Sequence, residues 1–370
     1  MLLIHPEVGI AEASESTDGE MFSAFHDLHK SLVEEDPSTS KEAKESFWTS
    51  YLGVEGNEER FSENFACGTN ANTTLDDISR LARWNEIAIQ LRCGGRYEVA
   101  EQLLRGALDI VGSNIDQDDP LVLACNNNLA TILQDQAKLD EAENLFNRVL
   151  HIREDVLGPR HHLTLLSLNN LATVLRDRGH QDAAEHLLRA AIGVGGDTLG
   201  WGHKDMCTFA NNLAVVLNQK GMFEQAESML RQVIGDRTEQ LGGSHPDTLV
   251  SINNLAMVLC NRNNYFDAQM LFGAVLAERE KKHGREHQRT CVNVWWLAHL
   301  MGVLGRESEA TTLYQRAISG FGKSLGEDHS YTVSCRSQWA DMEALLCQNM
   351  ADCTTEQSVC HHLLPHNPRH

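Results

Sequence analysis

The sequence predicts an all-α fold, a right-handed superhelical solenoid of antiparallel helix pairs with a C-terminal capping helix. The first observation is that the tetrapeptide Asn-Asn-Leu-Ala recurs at a fixed spacing of 42 residues, without any insertion. Its four copies begin at Asn127, Asn169, Asn211 and Asn253. Degenerate copies continue the spacing at residues 85–88, 295–298 and 337–340. Self-similarity at a period of about 20–50 residues is typical of a stacked array of repeats.

The second observation is that each repeat carries two amphipathic patterns, which we call helix A and helix B. In residues 248–289, apolar residues mark one face of helix A from Ile252 to Leu259, and the polar turn 261–264 follows. Apolar residues then mark one face of helix B from Ala268 to Leu276. A glycine ends most helices B, because glycine tolerates the left-handed conformation after a helix. Neither short helix can bury its apolar face alone, so neighbouring repeats must stack.

The third observation is that one position in helix A and one in helix B hold alanine throughout. An alanine kept in every copy of an array marks a place where two helices approach too closely for a larger side chain. The helix-A positions are Ala88, Ala130, Ala172, Ala214, Ala256, Ala298 and Ala340. The helix-B positions are Ala100, Ala142, Ala184, Ala226, Ala268 and Ala310.

These features resemble the tetratricopeptide repeat, with Leu and a small residue in helix A and Ala early in helix B. The 42-residue period, the connector Leu-Gly-x-x-His-Pro-Asp-Thr at 241–248 and the Asn-Asn-Leu-Ala box resemble its kinesin-light-chain type. The resemblance covers roughly 270 of the 370 residues and implies a helix-pair array. It does not imply a motor adaptor, because the sequence lacks the long heptad segment that kinesin light chains carry ahead of their repeats.

Three regions follow from these patterns. Residues 1–78 are expected to form an acidic, partly disordered segment with short helices. Residues 79–348 are expected to form six helix pairs and the capping helix, which places Glu343 where earlier repeats have Leu or Met. A polar last face suits the end of an array. Residues 349–370 are expected to form a flexible tail that contains Cys and His.

Composition excludes several classes of function. The net charge of −21 argues against nucleic-acid binding, which needs clustered Lys and Arg. No apolar run approaches 18 residues, so insertion into a membrane is not expected. The ten cysteines are scattered without paired spacing, which favours a reducing compartment and a cytoplasmic protein.

The sequence offers no catalytic constellation, so we predict no enzyme, no cofactor and no metal site. The stretch 317–324 fits a relaxed phosphate-loop pattern, but it follows a helix instead of a strand. One histidine recurs in each connector, at positions 161, 203, 245, 287 and 329. Stacked repeats hold such residues about 10 Å apart, too far for one zinc ion. Hydrogen bonds that order the connectors are the preferred interpretation.

The asparagines are the best candidates for binding. Leu and Ala follow each pair and define the buried side of helix A, so we expect the pairs to line the inner, concave wall. The candidate peptide-binding residues are Asn127, Asn128, Asn169, Asn170, Asn211, Asn212, Asn253 and Asn254. Asn amides pair with the backbone of an extended peptide. The resemblance implies that the second Asn of each pair makes that contact. The alternative is that the pairs bond to neighbouring connectors or backbone.

Three further residues complete the candidate set. Arg176 is expected to face the groove. Trp295 and Trp296 replace the Asn pair in the sixth repeat, and exposed tryptophan in a groove is typical of an interaction hot spot. The alternative interpretation is that one of the two tryptophans is a core residue, but not both, because these positions are polar in four other copies.

The sequence therefore predicts a scaffold or adaptor that binds an extended peptide or partner segment in the groove, with the partner unidentified. Two alternatives remain open. One is an enzyme, or an accessory protein of a biosynthetic pathway, that holds a small molecule near Trp295, Trp296 and His299. The other is the sensor repeats of a signalling protein.

Overall fold

The computed structural model describes residues 75–111, 115–327, 329, 331–342 and 344. Within these residues it contains thirteen helices and no strand. In chain order they are α1 (Leu75–Cys93), α2 (Tyr97–Val111), α3 (Pro120–Asp135), α4 (Leu139–Leu157), α5 (His162–Asp177), α6 (Gln181–Thr198), α7 (Lys204–Gln219), α8 (Phe223–Leu241), α9 (Pro246–Asn261), α10 (Tyr265–His283), α11 (Gln288–Val303), α12 (Glu307–Ser324) and α13 (331–342). Odd-numbered helices are helices A and even-numbered ones are helices B, so the predicted all-α helix-pair fold is confirmed.

The chain divides into two compact units between Val216 and Leu217, inside α7. In the first unit, each helix from α1 to α6 packs against the next, and α1, α3 and α5 also contact one another in sequence. In the second unit, α8 to α12 pack in the same consecutive manner. The expected regions 1–78 and 349–370 lie almost wholly outside the described residues, so those boundaries stay predictions.

The alanine positions are buried, as the close-approach argument requires. The helix-A alanines from Ala88 to Ala298 and all the helix-B alanines have no exposed surface. Ala340 differs. It lies in α13, the last described helix, and the Ala340 side chain is exposed.

The recurring connector histidines are N-caps of helices A. The Nδ1 atom of each accepts a hydrogen bond from the backbone N–H two residues later, at 3.2–3.3 Å. The capping residues are His161, His203, His245, His287 and His329. Asp119 caps α3 in the same way, at 2.8 Å. Such a bond satisfies one of the N–H groups left free at the start of a helix. Hydrogen bonding within the connectors is therefore confirmed.

A buried arginine near the end of helix B holds the next connector, a feature that the sequence analysis missed. The Nη1 atom of Arg237 donates to the Asp247 carbonyl at 2.7 Å and to Ser251 Oγ at 2.8 Å. Arg153 makes the equivalent bonds two repeats earlier, to the Leu163 carbonyl and to Ser167. Each guanidinium therefore ties helix B to the first turn of the following helix A.

The repeat between these two replaces the whole arrangement with apolar contacts. Gly195 stands at the arginine position, 42 residues after Arg153, and Phe209 stands at the serine position. Phe209 is fully buried in a cluster with Leu165, Ala191 and Met206. A Cβ atom on Gly195 would lie 2.6 Å from Met206 Sδ, so a larger residue here would require the Met206 side chain to move. The apolar side chains of Met206 and Leu165 thus lie next to Gly195, at the position that holds a buried arginine in the two neighbouring repeats.

The stretch that fits a phosphate-loop pattern is helical. Residues up to Ser324 belong to α12, and Lys323 Nζ forms an ion pair with Glu286. No helix within the described residues is long and apolar enough to cross a membrane.

Candidate functional site: the amide ladder of helices A

The asparagine pairs of the first unit form a ladder of hydrogen bonds between repeats. The second Asn of each pair donates from Nδ2 to the Oδ1 atom of the first Asn in the preceding repeat. These bonds run from Asn128 to Asn85 at 2.8 Å, from Asn170 to Asn127 at 2.9 Å and from Asn212 to Asn169 at 2.8 Å. Donor and acceptor are 43 residues apart each time, one more than the period. We call the seven residues from Asn85 to Asn212 that hold these positions the amide ladder.

Longer bonds within the pairs join the rungs. Asn169 Nδ2 donates to Asn170 Oδ1 at 3.4 Å, and Asn211 Nδ2 donates to Asn212 Oδ1 at the same distance. Five amides therefore follow one another without a break, from Asn211 through Asn212, Asn169 and Asn170 to Asn127. Hydrogen-bonded chains of this kind polarise their members and strengthen one another.

Burial changes along the ladder. Asn169, Asn211 and Asn212 are 2–3% exposed. Asn127, Asn128 and Asn170 are half-buried. The expectation that all pairs lie open on a wall is therefore wrong for the buried members, because each amide is enclosed by its own copies in adjacent repeats.

A second set of polar contacts lies two helical turns further along the same face. Arg92 Nε donates to Asp135 Oδ2, and Gln134 Nε2 donates to Asp177 Oδ2, both at 2.5 Å. These pairs are again 43 residues apart. We call Arg92, Gln134, Asp135, Arg176 and Asp177 the charged row.

Arg176 does not face an open groove, which corrects the expectation for that residue. Its side chain pairs with Asp177 at 2.7 Å, and the two side chains are only 2% and 4% exposed. A buried guanidinium needs such a partner because desolvation of an unpaired charge is costly. The sequence did not reveal this pairing, because the partner is the next residue and adjacent residues of a helix do not normally face each other.

In the second unit, Asn253 and Asn254 are 5% and 8% exposed. Trp296 occupies the register of a second Asn but has no amide with which to continue the ladder. Asn293, one turn earlier in α11, takes over and donates from Nδ2 to Asn253 Oδ1 at 2.9 Å. The rung is therefore preserved by a residue outside the recurring pair, which the sequence analysis did not single out.

Trp295 is a core residue, so its assignment as an exposed anchor is wrong. It is 1% exposed and lies 5.9 Å from Phe321, edge to face. Its Nε1 atom donates to Gln338 Oε1 at 3.0 Å, again across 43 residues. The spacing is that of the ladder, but here the earlier repeat supplies the donor and the later repeat supplies the acceptor. Trp296 is 8% exposed and is equally unsuited to an open hot spot.

Two further observations concern metal binding and the residues near the tryptophans. No group of three or more His, Cys, Asp or Glu that could hold a metal ion occurs among them. Burial lowers the pKa of His299, beside the tryptophans. The role of the candidate residues in binding stays a prediction.

Comparison with family models places the repeats in context. Models described as tetratricopeptide repeat match residues 79–155, 121–194, 207–247 and 248–289. Together these spans cover more than half of the chain. No curated protein matches it.

Solved structures of similar fold include two complexes. A Rap protein complexed with competence and sporulation factor is 13% identical with a TM-score of 0.57, over 92% of this chain and 91% of that chain. NprR in complex with its cognate peptide NprX is 12% identical with a TM-score of 0.54, over 94% and 87%. A putative kinesin light chain of Podosopora anserina with nearly identical TPR-like repeats is 26% identical with a TM-score of 0.44, over 56% and 98%.

Proposed function

Because the chain belongs to the tetratricopeptide repeat family, we propose that it is a scaffold that holds an extended peptide segment of a partner protein. The binding surface in this proposal is the half-buried part of the amide ladder, formed by Asn127, Asn128 and Asn170 on α3 and α5. A Rap protein has been solved in complex with competence and sporulation factor, and NprR has been solved in complex with its cognate peptide NprX. The present chain shares the fold of both proteins.

The unused bonding capacity of these amides is the observation that carries the proposal. An asparagine side chain has two N–H donors and an oxygen with two lone pairs. Asn170 uses one donor for Asn127 and one lone pair for the long bond from Asn169. One donor and one lone pair remain, on a side chain that is half-buried instead of enclosed. A peptide backbone offers the complementary C=O and N–H groups.

The spacing of the repeats fits an extended ligand. Stacked helices stand about 10 Å apart, and an extended chain rises about 3.3 Å per residue. Successive second asparagines would therefore meet every third residue of the ligand. The ladder holds each amide in a fixed orientation, which lowers the ordering cost of binding.

A selection experiment tests the proposal. Peptides selected on the purified chain from a random 12-residue display library are synthesised with a fluorophore, and their affinity is measured by anisotropy. Each lost hydrogen bond costs about 0.5–1.5 kcal/mol, so Asn128→Ala combined with Asn170→Ala is expected to weaken binding roughly 5- to 100-fold. The control is Asn144→Ala on α4, which removes an exposed amide from a helix B.

Two outcomes contradict the proposal. One is equal binding by the double variant and the control variant. The other is a loss of binding that occurs only because the double variant unfolds, which circular dichroism would reveal. The assignment to the sensor repeats of a signalling protein stays a prediction. The alternative of a small molecule held near Trp295, Trp296 and His299 also stays a prediction; both tryptophans are buried.

A further inference from the structure

The charges on the helix-A face of the first unit are already paired within the chain. Arg92 and Asp135 form an ion pair at 2.5 Å with side chains 15% and 30% exposed. Arg176 and Asp177 form a pair at 2.7 Å that is almost fully buried. Neither guanidinium can therefore bind a ligand unless its ion pair with the carboxylate is first broken. Removing one member of a buried pair leaves an uncompensated charge, which is strongly unfavourable.

One charged residue on this face stands apart from the pairs. Glu86 occupies the register of a second Asn, 42 residues before Asn128, and its side chain is exposed. The first rung of the ladder ends beside it, at Asn85. A ligand that lies along the ladder thus meets amides over α3 and α5 and a carboxylate over α1.

We propose that this face selects peptides whose central segment is uncharged, rejects acidic peptides, and favours a single basic group at the end that lies over α1. This inference rests on the proposed function. Recognition then depends on the peptide backbone through Asn128 and Asn170. Acidic side chains are rejected because they would face the exposed carboxylate of Glu86, and like charges in close contact are unfavourable. The guanidinium groups of Arg92 and Arg176 cannot compensate, because they are already paired with Asp135 and Asp177. A Lys or Arg of the ligand would pair with Glu86 at the exposed end.

The distance between the basic group and the clamped backbone follows from the array. Adjacent helices A stand about 10 Å apart, which an extended chain covers in about three residues. The preferred ligand therefore carries its basic residue about three positions from the residue that contacts Asn128, and about six from the one that contacts Asn170.

Three synthetic pools of random nine-residue peptides test the inference. All are acetylated and amidated, so that only side chains carry charge; one pool is neutral, one has three Asp or Glu residues, and one has a single Lys or Arg. The full chain is immobilised, and the retained fraction of each pool is measured by mass spectrometry at 50 and 500 mM NaCl. Screening at the higher salt weakens exposed charge interactions and leaves neutral hydrogen bonding largely unaffected.

The neutral and basic pools are expected to be retained at least fivefold better than the acidic pool. Retention of the neutral pool should change less than twofold between the two salt concentrations. The advantage of the basic pool should disappear in Glu86→Gln and persist in Asp155→Asn, the matched removal of an exposed carboxylate on α4.

The result that overturns the inference is preferential retention of the acidic pool, released by salt. The proposed function would survive that result if retention still fell in the Asn128→Ala and Asn170→Ala double variant. If no pool is retained by the chain above the level of that double variant, both the inference and the proposed function fail.

Discussion

Asn212 provides the sharpest test of the amide ladder. Because Asn212 is buried, its replacement by alanine is expected to lower the stability of the fold, whereas the replacement of an exposed amide would not. Asn212→Ala removes the 2.8 Å bond to Asn169 Oδ1. It also removes the oxygen that accepts from Asn211. Asn169 is 2% exposed, so water cannot fully replace the lost donor.

The magnitude follows from the unsatisfied acceptor. A buried polar group that loses its partner costs about 1–3 kcal/mol, whereas an exposed substitution typically stays within about 0.5 kcal/mol. Asn212→Ala is therefore expected to lower the free energy of unfolding by about 1–3 kcal/mol. Asn144→Ala, which alters an exposed amide on α4, should change it by less than about 0.5 kcal/mol.

The assay is urea denaturation followed by circular dichroism at 222 nm, with the midpoint and slope of the first transition compared among variants. A cycle with Asn169→Ala isolates the coupling, because residues in direct contact give non-additive effects. The double variant should be less destabilised than the sum of the two single variants. Equal midpoints for Asn212→Ala and Asn144→Ala, or strict additivity in the cycle, would refute the ladder as a structural element.

Two other predictions concern the core. Ala172→Leu should destabilise the first unit by about 1–3 kcal/mol through overpacking, whereas Ala190→Leu on exposed α6 surface should be nearly neutral; equal denaturation midpoints would contradict the close-approach assignment. Burial raises the pKa of Cys125 to about 12 and of Cys291 to about 11, so these thiols contribute stability that is present below the unfolded pKa of 9.0 and is lost as the pH rises above it. Thermal melts at pH 8 and pH 10 should show a decline that is smaller in a Cys125→Ala and Cys291→Ala variant; an identical decline in both proteins would argue against buried, neutral thiols.

The fold could be predicted because its signals are local and repeated. Ala142 and Ala184 report close helix contacts, and the glycines after helices B report where those helices end. Each signal is weak alone, but the fixed period aligns the copies. The recurrence of one histidine in each connector also predicted that these residues order the connectors by hydrogen bonds, although it did not identify them as helix N-caps.

The candidate site was only partly predictable. The polar residues of helix A, the Asn pairs and Arg176, were expected to be exposed to solvent because they are polar. In a stacked array, a polar side chain meets its own copy in the next repeat. The ladder joins residue i to residue i+43, one residue more than the period. Nothing in a single repeat reveals that offset. The same reason explains Trp295, whose partner Gln338 lies in a degenerate copy.

The exchange of Arg and Ser for Gly195 and Phe209 bears on how this array can be recombined. The two positions lie 14 residues apart, on either side of a connector. A crossover between genes of neighbouring repeats that falls within residues 196–208 would separate them. One product would place an arginine against a phenylalanine, and the other would place a glycine opposite a serine and leave a void. Functional breakpoints for duplicating or swapping repeats are therefore expected outside residues 196–208, in the parts of the helices that lie away from this connector.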